Sequence, residues 1–386
     1  MEFETWWLVL LPAFFAAGWF AARWDLRQTI RAARQLPATY FQGLNHLLHD
    51  ENDEAVDALI EVVKLDPDTP ELHFALGTLF RRRGETERAI RVHENLLSRG
   101  DLSSTQRQHA LMESGLDYVK AGLLDRAEKA LSQLESTPLA VKAEEQRLLI
   151  AQSVRDWPLA ISLCQALRAA GHTQSAEREL HYRCAQIDDG LNANNPDLNA
   201  TQVQLAQELV ASSNHPWVLL LRAKCDLVMQ RPEQSIASLN NLFEQHPAFC
   251  PLAAPLWMKA YGLQNANDQG LQRLIQTFER SPSDDLMLSI AQQLSEQSGR
   301  EKAQYWLVEQ LKIRPSLAGL NALAQLKALA PDQPIDAEFL SNQLDNATTK
   351  GGRYVCHHCG FQAKNFYWLC PGCGQWETYL PSTQSL

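Results

Sequence analysis

The sequence predicts an all-α chain of stacked helix pairs, preceded by one membrane-spanning helix and followed by a small metal-binding module. Three observations predict this architecture. Residues 5–22 contain no charged side chain, residues from about 36 to 340 alternate amphipathic helical stretches with short breaks, and four of the eight cysteines fall within residues 356–374. The first indicates a membrane anchor, the second a helical repeat array and the third a metal site.

Length and charge narrow the class of protein. A chain of 386 residues is too long for one compact core, so we expect several units or an elongated array. The formal net charge of −10 argues against a nucleic-acid partner, because nucleic-acid binding requires a basic face.

The first domain, residues 1–22, is predicted to be a transmembrane anchor. Its uncharged run would extend about 27 Å as a helix, which is just enough to cross a hydrocarbon core. Indole rings favour the headgroup region, and tryptophans stand at both ends of the run: Trp6, Trp7, Trp19 and Trp24. A signal peptide needs a basic start, whereas this chain begins with two glutamates in its first four residues. A buried helix of a soluble protein is the alternative.

A basic juxtamembrane helix is predicted over residues 23–35. It contains one acidic residue, Asp25, and four arginines three or four residues apart, which places them on one face of a helix: Arg23, Arg27, Arg31 and Arg34. The positive-inside bias places this side of the span, and everything after it, in the cytoplasm. The arginines would contact anionic lipid headgroups, the alternative being a solvated helix face.

The central segment, residues 36–347, contains a helical repeat. Gly43 and Gly77 are 34 residues apart, as are Ala55 and Ala89, and Pro67 closes the first unit. This period and the small residues at fixed places are typical of tetratricopeptide (TPR) repeats, in which small side chains let two helices approach closely. A single pair cannot bury its own apolar face, so the repeats are expected to stack into a solenoid.

Later repeats are less regular. The stretch GLDYVKAGLLDRAEKAL, beginning at Gly115, fits the pattern, and breaks at HPW (215–217), HPAF (246–249), SPSDD (281–285) and RPSLAG (314–319) mark further units. We predict eight units and a final helical pair, although the irregular middle leaves the exact number open.

The first helices of these repeats are predicted to line a groove that binds a partner. The repeat register assigns these residues to it: Tyr40, Leu44, Leu47, Phe74, Met112 and Leu116, with Arg81 and Arg82 at its rim. Such an apolar surface suits an amphipathic helix or an extended peptide. The alternative is that other parts of the same chain fill it.

The last domain, residues 348–381, is predicted to be a four-cysteine metal module. Cys356 and Cys359 form one Cys-x-x-Cys pair, Cys370 and Cys373 form a second, and a glycine follows each pair. Two such knuckles provide four thiolates for one structural ion, either zinc or iron of the rubredoxin kind. Two disulfides are the alternative, which the cytoplasmic orientation disfavours.

The sequence indicates binding rather than catalysis. It contains no glycine-rich phosphate loop, no nucleophile elbow and no His-Glu-x-x-His motif. A full set of four cysteines leaves the metal no open position and makes His357 and His358 surplus as ligands. An electron carrier is the enzyme-class alternative, because rubredoxins use the same ligands.

The chain as a whole resembles the lipopolysaccharide assembly protein B (LapB, also called YciM) family of Gram-negative bacteria. Three stretches carry the resemblance: WWLVLLPAFFAAGWFAAR at the start, the repeat beginning YFQGLNHLLHDENDEAVDALIEVVKLDPDTPELHFALGTLFRRRGE, and YVCHHCGFQAKNFYWLCPGCGQWET at the end.

The resemblance implies a single-pass inner-membrane protein that acts in the cytoplasm as a non-enzymatic adaptor. It implies down-regulation of lipopolysaccharide biosynthesis through degradation of the deacetylase LpxC by the membrane protease FtsH. A lipopolysaccharide-sensing inner-membrane protein is expected to bind the anchor and relieve this effect. The four cysteines are the implied metal ligands, and the rubredoxin-like module is expected to pack against the repeats. A non-proteolytic scaffold for lipopolysaccharide synthesis or transport proteins is the alternative, and a homo-oligomer remains open.

Overall fold

The computed structural model describes residues 69–172, 175–192, 198–212, 214–328 and 354–379, together with the isolated positions 19, 23, 57, 60 and 61. The chain divides into two units, residues 1–173 and 174–386. Among the described residues, none of the helices combines the length and the apolar character that crossing a bilayer requires. The predicted span and most of the basic segment lie outside the described residues.

Over residues 69–172, the first unit forms three successive helix pairs. Its helices are α1 (Pro70–Arg82), α2 (Thr86–Ser98), α3 (Ser104–Lys120), α4 (Leu124–Leu131), α5 (Ala140–Val154) and α6 (Trp157–Ala169), with a 3₁₀ turn at Ser132–Leu134. Each first helix packs against the second helix of its pair, and α3 also contacts both α1 and α5. This is the packing expected of TPR repeats.

The second unit continues the same alternation and ends in the small module. Its helices are α7 (Ser175–Leu191), α8 (Leu198–Ser212), α9 (Pro216–Val228), α10 (Pro232–Gln245), α11 (Cys250–Leu263), α12 (Asn267–Arg280), α13 (Asp284–Ser298), α14 (Arg300–Ile313) and α15 (Leu317–Ala328). A 3₁₀ turn at Pro247–Phe249 precedes α11. The first helices of successive pairs again contact one another, from α7 through α9, α11 and α13 to α15. We call the surface of this row the first-helix side.

Small residues bring the two helices of a pair close together, as the sequence predicts. A methyl group added at Gly77 of α1 would lie 2.4 Å from the ring of His93 on α2. At Gly115 of α3 the same methyl would lie 2.6 Å from Leu131, whose side chain is fully buried at the end of α4. Glycine is therefore required at both positions by the close approach of the helices rather than by the backbone conformation.

The helix boundaries follow local sequence signals. Ser103 and Gln106 form a capping box that begins α3, and the Ser283 side chain accepts the backbone N–H of Leu286 at the start of α13. Proline occupies the first turn of α1, α9, α10 and α11. The N–H groups of a first turn have no partner within the helix, so proline's missing N–H costs no hydrogen bond there. The breaks predicted around Pro216 and Ser283 are confirmed.

The cores of the two units are built from leucine, alanine and a few aromatic residues. In the first unit, one cluster joins α3, α4 and α5 around Leu131 and Leu134. In the second unit, the largest cluster extends from α9 to α14 around the fully buried Trp257, whose indole N–H donates to the carbonyl of Gly270 at 3.0 Å. Together these features confirm the predicted all-α, TPR-like fold.

The C-terminal module is the only β-containing part of the described chain. Its strands β1 (Tyr354–Val355) and β2 (Gln362–Ala363) pair antiparallel. Single bridges join Cys356 to Tyr379 and Leu369 to Trp376. So small a sheet buries little apolar surface, so the module needs another source of stability.

Candidate metal centre and its docking face

The two Cys-x-x-Cys segments fold into two copies of the same turn. In the first, the Cys356 N–H donates to the Phe361 carbonyl and the Gly360 N–H donates to the Cys356 carbonyl, both at 2.9 Å. In the second, Cys370 and Gly374 make the equivalent bonds, also at 2.9 Å, with the carbonyl of Gln375 as the acceptor for Cys370. Each turn therefore presents its two sulfurs in the same way.

Glycine closes each knuckle because the backbone there is left-handed. Gly360 has φ of 74° and Gly374 has φ of 66°, a region that side chains other than glycine rarely adopt. The two glycines that follow the cysteine pairs in the sequence thus permit the turns that close the knuckles.

The four sulfurs fit one tetrahedral ion. All four Sγ atoms lie within 4.8 Å of one another. Cys356 Sγ is 3.8 Å from Cys373 Sγ, and Cys359 Sγ is 3.8 Å from Cys370 Sγ. Thiolates bound at about 2.3 Å around a central zinc ion are separated by about 3.8 Å. The two knuckles therefore provide a closed set of four ligands for one metal ion.

The protonation behaviour of these thiols also favours a cation. Burial opposes ionisation of Cys356, but hydrogen bonds from the Thr378 hydroxyl and from backbone N–H groups lower its pKa to about 6. Burial and the neighbouring sulfurs raise the pKa of Cys373 to about 12. The site therefore favours ionisation of some of its thiols but resists a full set of four thiolates, unless a cation compensates their charge.

The remaining cysteines belong to the helical core. Cys164, Cys184, Cys225 and Cys250 are all buried. Burial raises the pKa of Cys250 to about 12, so its thiol stays protonated at neutral pH. Of the described cysteines, only those of the module cluster as metal ligands.

The module docks onto the first-helix side of the second unit through a stack of three aromatic rings. Trp368 lies between Trp217, at the start of α9, and Phe249, just before α11. Its ring centroid is 4.8 Å from that of Trp217 and 5.3 Å from that of Phe249, with interplanar angles of 7° and 10°. Phe366 meets the Trp368 ring edge-on at 5.1 Å. Trp368 is thus the central contact of the docking face.

A second aromatic contact lies against α7. Trp376 stacks on the His181 ring at 5.0 Å between centroids, with an interplanar angle of 14°. Tyr182 meets the same indole edge-on at 5.7 Å. The module therefore contacts residues at or just before three successive first helices.

One carboxylate of the module lies between two histidines of the helical array. Glu377 Oε1 is 3.1 Å from His181 Nε2 and 2.8 Å from His215 Nε2. These two imidazoles hold the pKa of the Glu377 carboxyl well below its ordinary value, although partial burial opposes the shift. The Glu377 N–H donates to the Trp368 carbonyl at 2.8 Å, which fixes the carboxylate relative to the docking tryptophan.

Known proteins resemble this chain both in the terminal module and over nearly its whole length. A family model for a rubredoxin metal binding domain of the LapB zinc-ribbon type matches residues 354–379. Lipopolysaccharide assembly protein B of Escherichia coli K12 is 28% identical over 378 residues, which cover 97% of each chain. Its Haemophilus influenzae counterpart is 27% identical over 387 residues, also 97% of each chain. The chain is similar to lipopolysaccharide assembly protein B over nearly its whole length.

Solved structures show a weaker likeness. The crystal structure of yeast Tom70 is 12% identical and covers 90% of this chain and 85% of its own, with a TM-score of 0.40. That score is too low to support any conclusion, so the fold assignment depends on the helix pairing of this chain itself.

The predicted groove residues are only partly described. Tyr40, Leu44 and Leu47 lie outside the described residues. In the first unit, Phe74 and Arg82 line the same cavity of about 260 Å³ on α1. The structure therefore brings these two predicted groove residues together, while their contact with a partner stays a prediction.

The other predicted groove residues have packing or pairing contacts. Met112 is buried in the core of the first unit, and Leu116 packs against that core. Arg81 extends from α1 to α3, where it pairs with Glu113 at 2.6 Å and Asp117 at 2.8 Å. These contacts hold neighbouring repeats together.

Sequence reasoning missed the helical half of the docking face. The aromatic residues near the cysteines suggest a miniature core with some residues docking onto the repeats, and Trp368 and Trp376 do dock. Their partners are far away in the sequence: His181 lies within a helix, and Trp217 and Phe249 lie at predicted breaks between helices. The HPW break contains two of the contacting residues, but its pattern indicates only a helix boundary.

Proposed function

We propose that this chain is an inner-membrane-anchored adaptor that restrains lipopolysaccharide biosynthesis by presenting the deacetylase LpxC to the membrane protease FtsH. In this proposal, residues 5–22 span the membrane, the basic segment lies at the cytoplasmic surface, and the helical repeats hold the client or the protease. A lipopolysaccharide-sensing membrane protein would relieve this activity through the anchor.

The docked module is the observation that carries the proposal. Its four sulfurs form a closed ligand set, which leaves no coordination position for a substrate. Its aromatic face is covered by the first helices of the second unit. Metal and module together thus support a rigid binding scaffold, and the similarity to lipopolysaccharide assembly protein B over nearly the whole chain supplies the biological setting.

Confinement to the membrane supplies the physical mechanism. Two proteins that meet in the plane of one membrane have a high effective concentration, so a weak contact with each of them is enough. The adaptor then needs only to hold LpxC in a geometry that FtsH can engage. Catalytic residues are not required for this role.

The first unit provides the partner surface that we favour. The module covers part of the first-helix side in the second unit, whereas Phe74 and Arg82 border an open cavity on α1. An apolar ring beside a guanidinium suits a peptide that carries both apolar and acidic side chains. We therefore assign client or protease binding to this part of the first unit.

The central experiment measures the half-life of LpxC in cells that carry the full chain. Replacing Cys356 and Cys370 with serine removes half of the metal ligands, so the module should unfold and LpxC should persist for longer. Metal content of the purified variant is measured in parallel. Cys164→Ala, which changes a buried thiol far from the module in sequence, serves as the control and should retain both the metal and the regulation.

The outcomes separate the adaptor from its alternative. A longer LpxC half-life in the variant, and loss of this effect in cells with inactive FtsH, would support the adaptor. If LpxC turnover is unchanged although the metal is lost, the link between module and regulation is refuted. If LpxC turnover never depends on the chain while envelope proteins still co-purify with it, a non-proteolytic scaffold is the better explanation.

The membrane anchor has its own test. A chain that lacks residues 1–22 should keep folded helices and its metal but regulate LpxC poorly, because confinement is lost. Circular dichroism and metal analysis establish folding, and LpxC half-life gives the regulatory result. Full regulation by this fragment would contradict the confinement mechanism.

A further inference from the structure

Three metal-ligating side chains converge where the module meets the helices, separate from the four cysteines. They come from three different elements: His181 from α7, His215 from the residue before α9, and Glu377 from the module. Their ligand atoms lie within 4.8 Å of one another. Segments far apart in the sequence thus direct two imidazoles and one carboxylate toward one point.

The hydrogen bonding of these histidines is incomplete. His181 is 3% exposed, and neither of its buried ring nitrogens makes a hydrogen bond to any residue that the structure describes. Its Nε2 nevertheless lies 3.1 Å from Glu377 Oε1. The buried Nδ1 of His215 also has no hydrogen-bond partner among the described residues. Burying polar atoms without partners costs free energy, so a ligand bound at His181 Nε2 would stabilise this arrangement.

We propose that His181, His215 and Glu377 form a second divalent-metal site, which joins the module to the helical array. Two imidazole nitrogens and one carboxylate oxygen suit zinc and its neighbours among the first-row transition metals. A water molecule would complete a tetrahedral set of ligands. The site would take its ion once the cysteines have bound theirs, because Glu377 is presented by the folded module.

The separations of the donor atoms are compatible with such an ion. Ligands at about 2.0–2.2 Å from zinc in a tetrahedron lie about 3.3 Å apart. The distances from Glu377 Oε1 to the two Nε2 atoms are 3.1 Å and 2.8 Å. Shifts of less than about 1 Å would therefore admit the ion, which side-chain rotation can supply.

The surroundings hold the three ligands in place. Trp376 stacks on the His181 ring and limits its rotation. Glu377 has φ of 53°, and its N–H is bonded to the Trp368 carbonyl, so the carboxylate projects from a fixed turn. His215 directly precedes Pro216, which starts α9. A rigid ligand set reduces the entropy lost when the ion binds.

The proposal is tested by counting metal ions in the full chain in detergent. Protein stripped of metal is titrated with Co²⁺ alone and followed by absorption. Binding to the four cysteines produces a thiolate-to-cobalt charge-transfer band, whereas the nitrogen and oxygen site does not. We expect about two equivalents in two phases, of which only one carries the charge-transfer band.

Glu377→Gln is the decisive variant, because it removes the charged ligand and keeps the size of the side chain. It should abolish the second binding phase or lower its affinity for Co²⁺ by more than about tenfold, while Co²⁺ binding to the thiolates is unchanged. His215→Ala should do the same. Glu279→Gln, at an exposed position on α12, is the matched control and should bind like the unmodified chain.

Two results would overturn the proposal. One is a single equivalent in the unmodified chain, even if Glu377→Gln lowers the melting temperature, because the three side chains would then act through hydrogen bonds alone. The other is a second equivalent that persists unchanged in both Glu377→Gln and His215→Ala.

Discussion

Replacing Trp368 with alanine should separate the module from the helices without emptying its metal site. Trp368 stacks between Trp217 and Phe249, whereas the four cysteine sulfurs are held by the turns of the module itself. Docking and metal binding therefore depend on different side chains. The substitution removes the central ring of the stack and leaves every thiolate in place.

The size of the effect follows from the contacts that are lost. Each aromatic pair contributes about 0.5–1.5 kcal/mol beyond the burial of its area, and two stacked pairs disappear. Truncating a fully buried tryptophan costs about 3–5 kcal/mol, and Trp368 is only half-buried. We therefore expect docking to weaken by about 3 kcal/mol, roughly a hundredfold in the docking equilibrium.

Hydrogen exchange and metal analysis together measure this effect. Amide protection on the faces of α7 and α9 that the module covers should fall in Trp368→Ala. The linker before the module should be cleaved faster by protease. Metal content should remain as in the unmodified chain. If the proposed function is correct, LpxC should also be degraded more slowly in cells.

Tyr367→Ala provides the matched control. This neighbouring ring is 41% exposed, and its described ring contact is with Tyr379 inside the module. Its loss should leave docking unchanged. The reasoning is refuted if Trp368→Ala loses its metal while remaining docked, or if it undocks no more than Tyr367→Ala.

Two further predictions concern the first unit. Arg81→Ala should lower the free energy of unfolding of this unit by about 2 kcal/mol, because it removes the guanidinium that pairs with two carboxylates of α3. The fully buried Asp117 then keeps its contact with His93. Urea unfolding would show the loss, and the exposed Arg82→Ala should change it by less than about 0.5 kcal/mol. Gly115→Ala should cost about 1–3 kcal/mol in the same assay, since its methyl would meet the buried Leu131 at 2.6 Å. Gly100→Ala, with open space around it, should be neutral, and equal effects at both glycines would contradict close helix packing as the cause.

Local sequence signals were sufficient to predict the repeat fold. The glycines at 77 and 115 permit close helix contacts, and capping residues such as Ser103 set where helices begin. These features act within one helix pair, so they are visible in short stretches of sequence. The four-cysteine site is equally local, because two turns of five residues position all of its ligands.

Functional surfaces were harder to predict. Repeat register assigns Met112 and Arg81 to a groove, yet Met112 is buried and Arg81 pairs with α3. Register identifies which helix face a residue occupies. Whether that face is open or covered depends on how far the next helix is rotated and shifted, which is decided by packing between repeats.

The sequence by itself determined the paired helices and the thiolate knuckles, because both depend on contacts between residues close together in the chain. Only the tertiary structure decided that Trp368 meets Trp217 and Phe249, and that Glu377 lies between His181 and His215. More than a hundred residues separate these partners in the chain, and no periodic pattern connects them. Their meeting results from the path of the folded chain, which returns the module to the first-helix side where apolar rings can be buried.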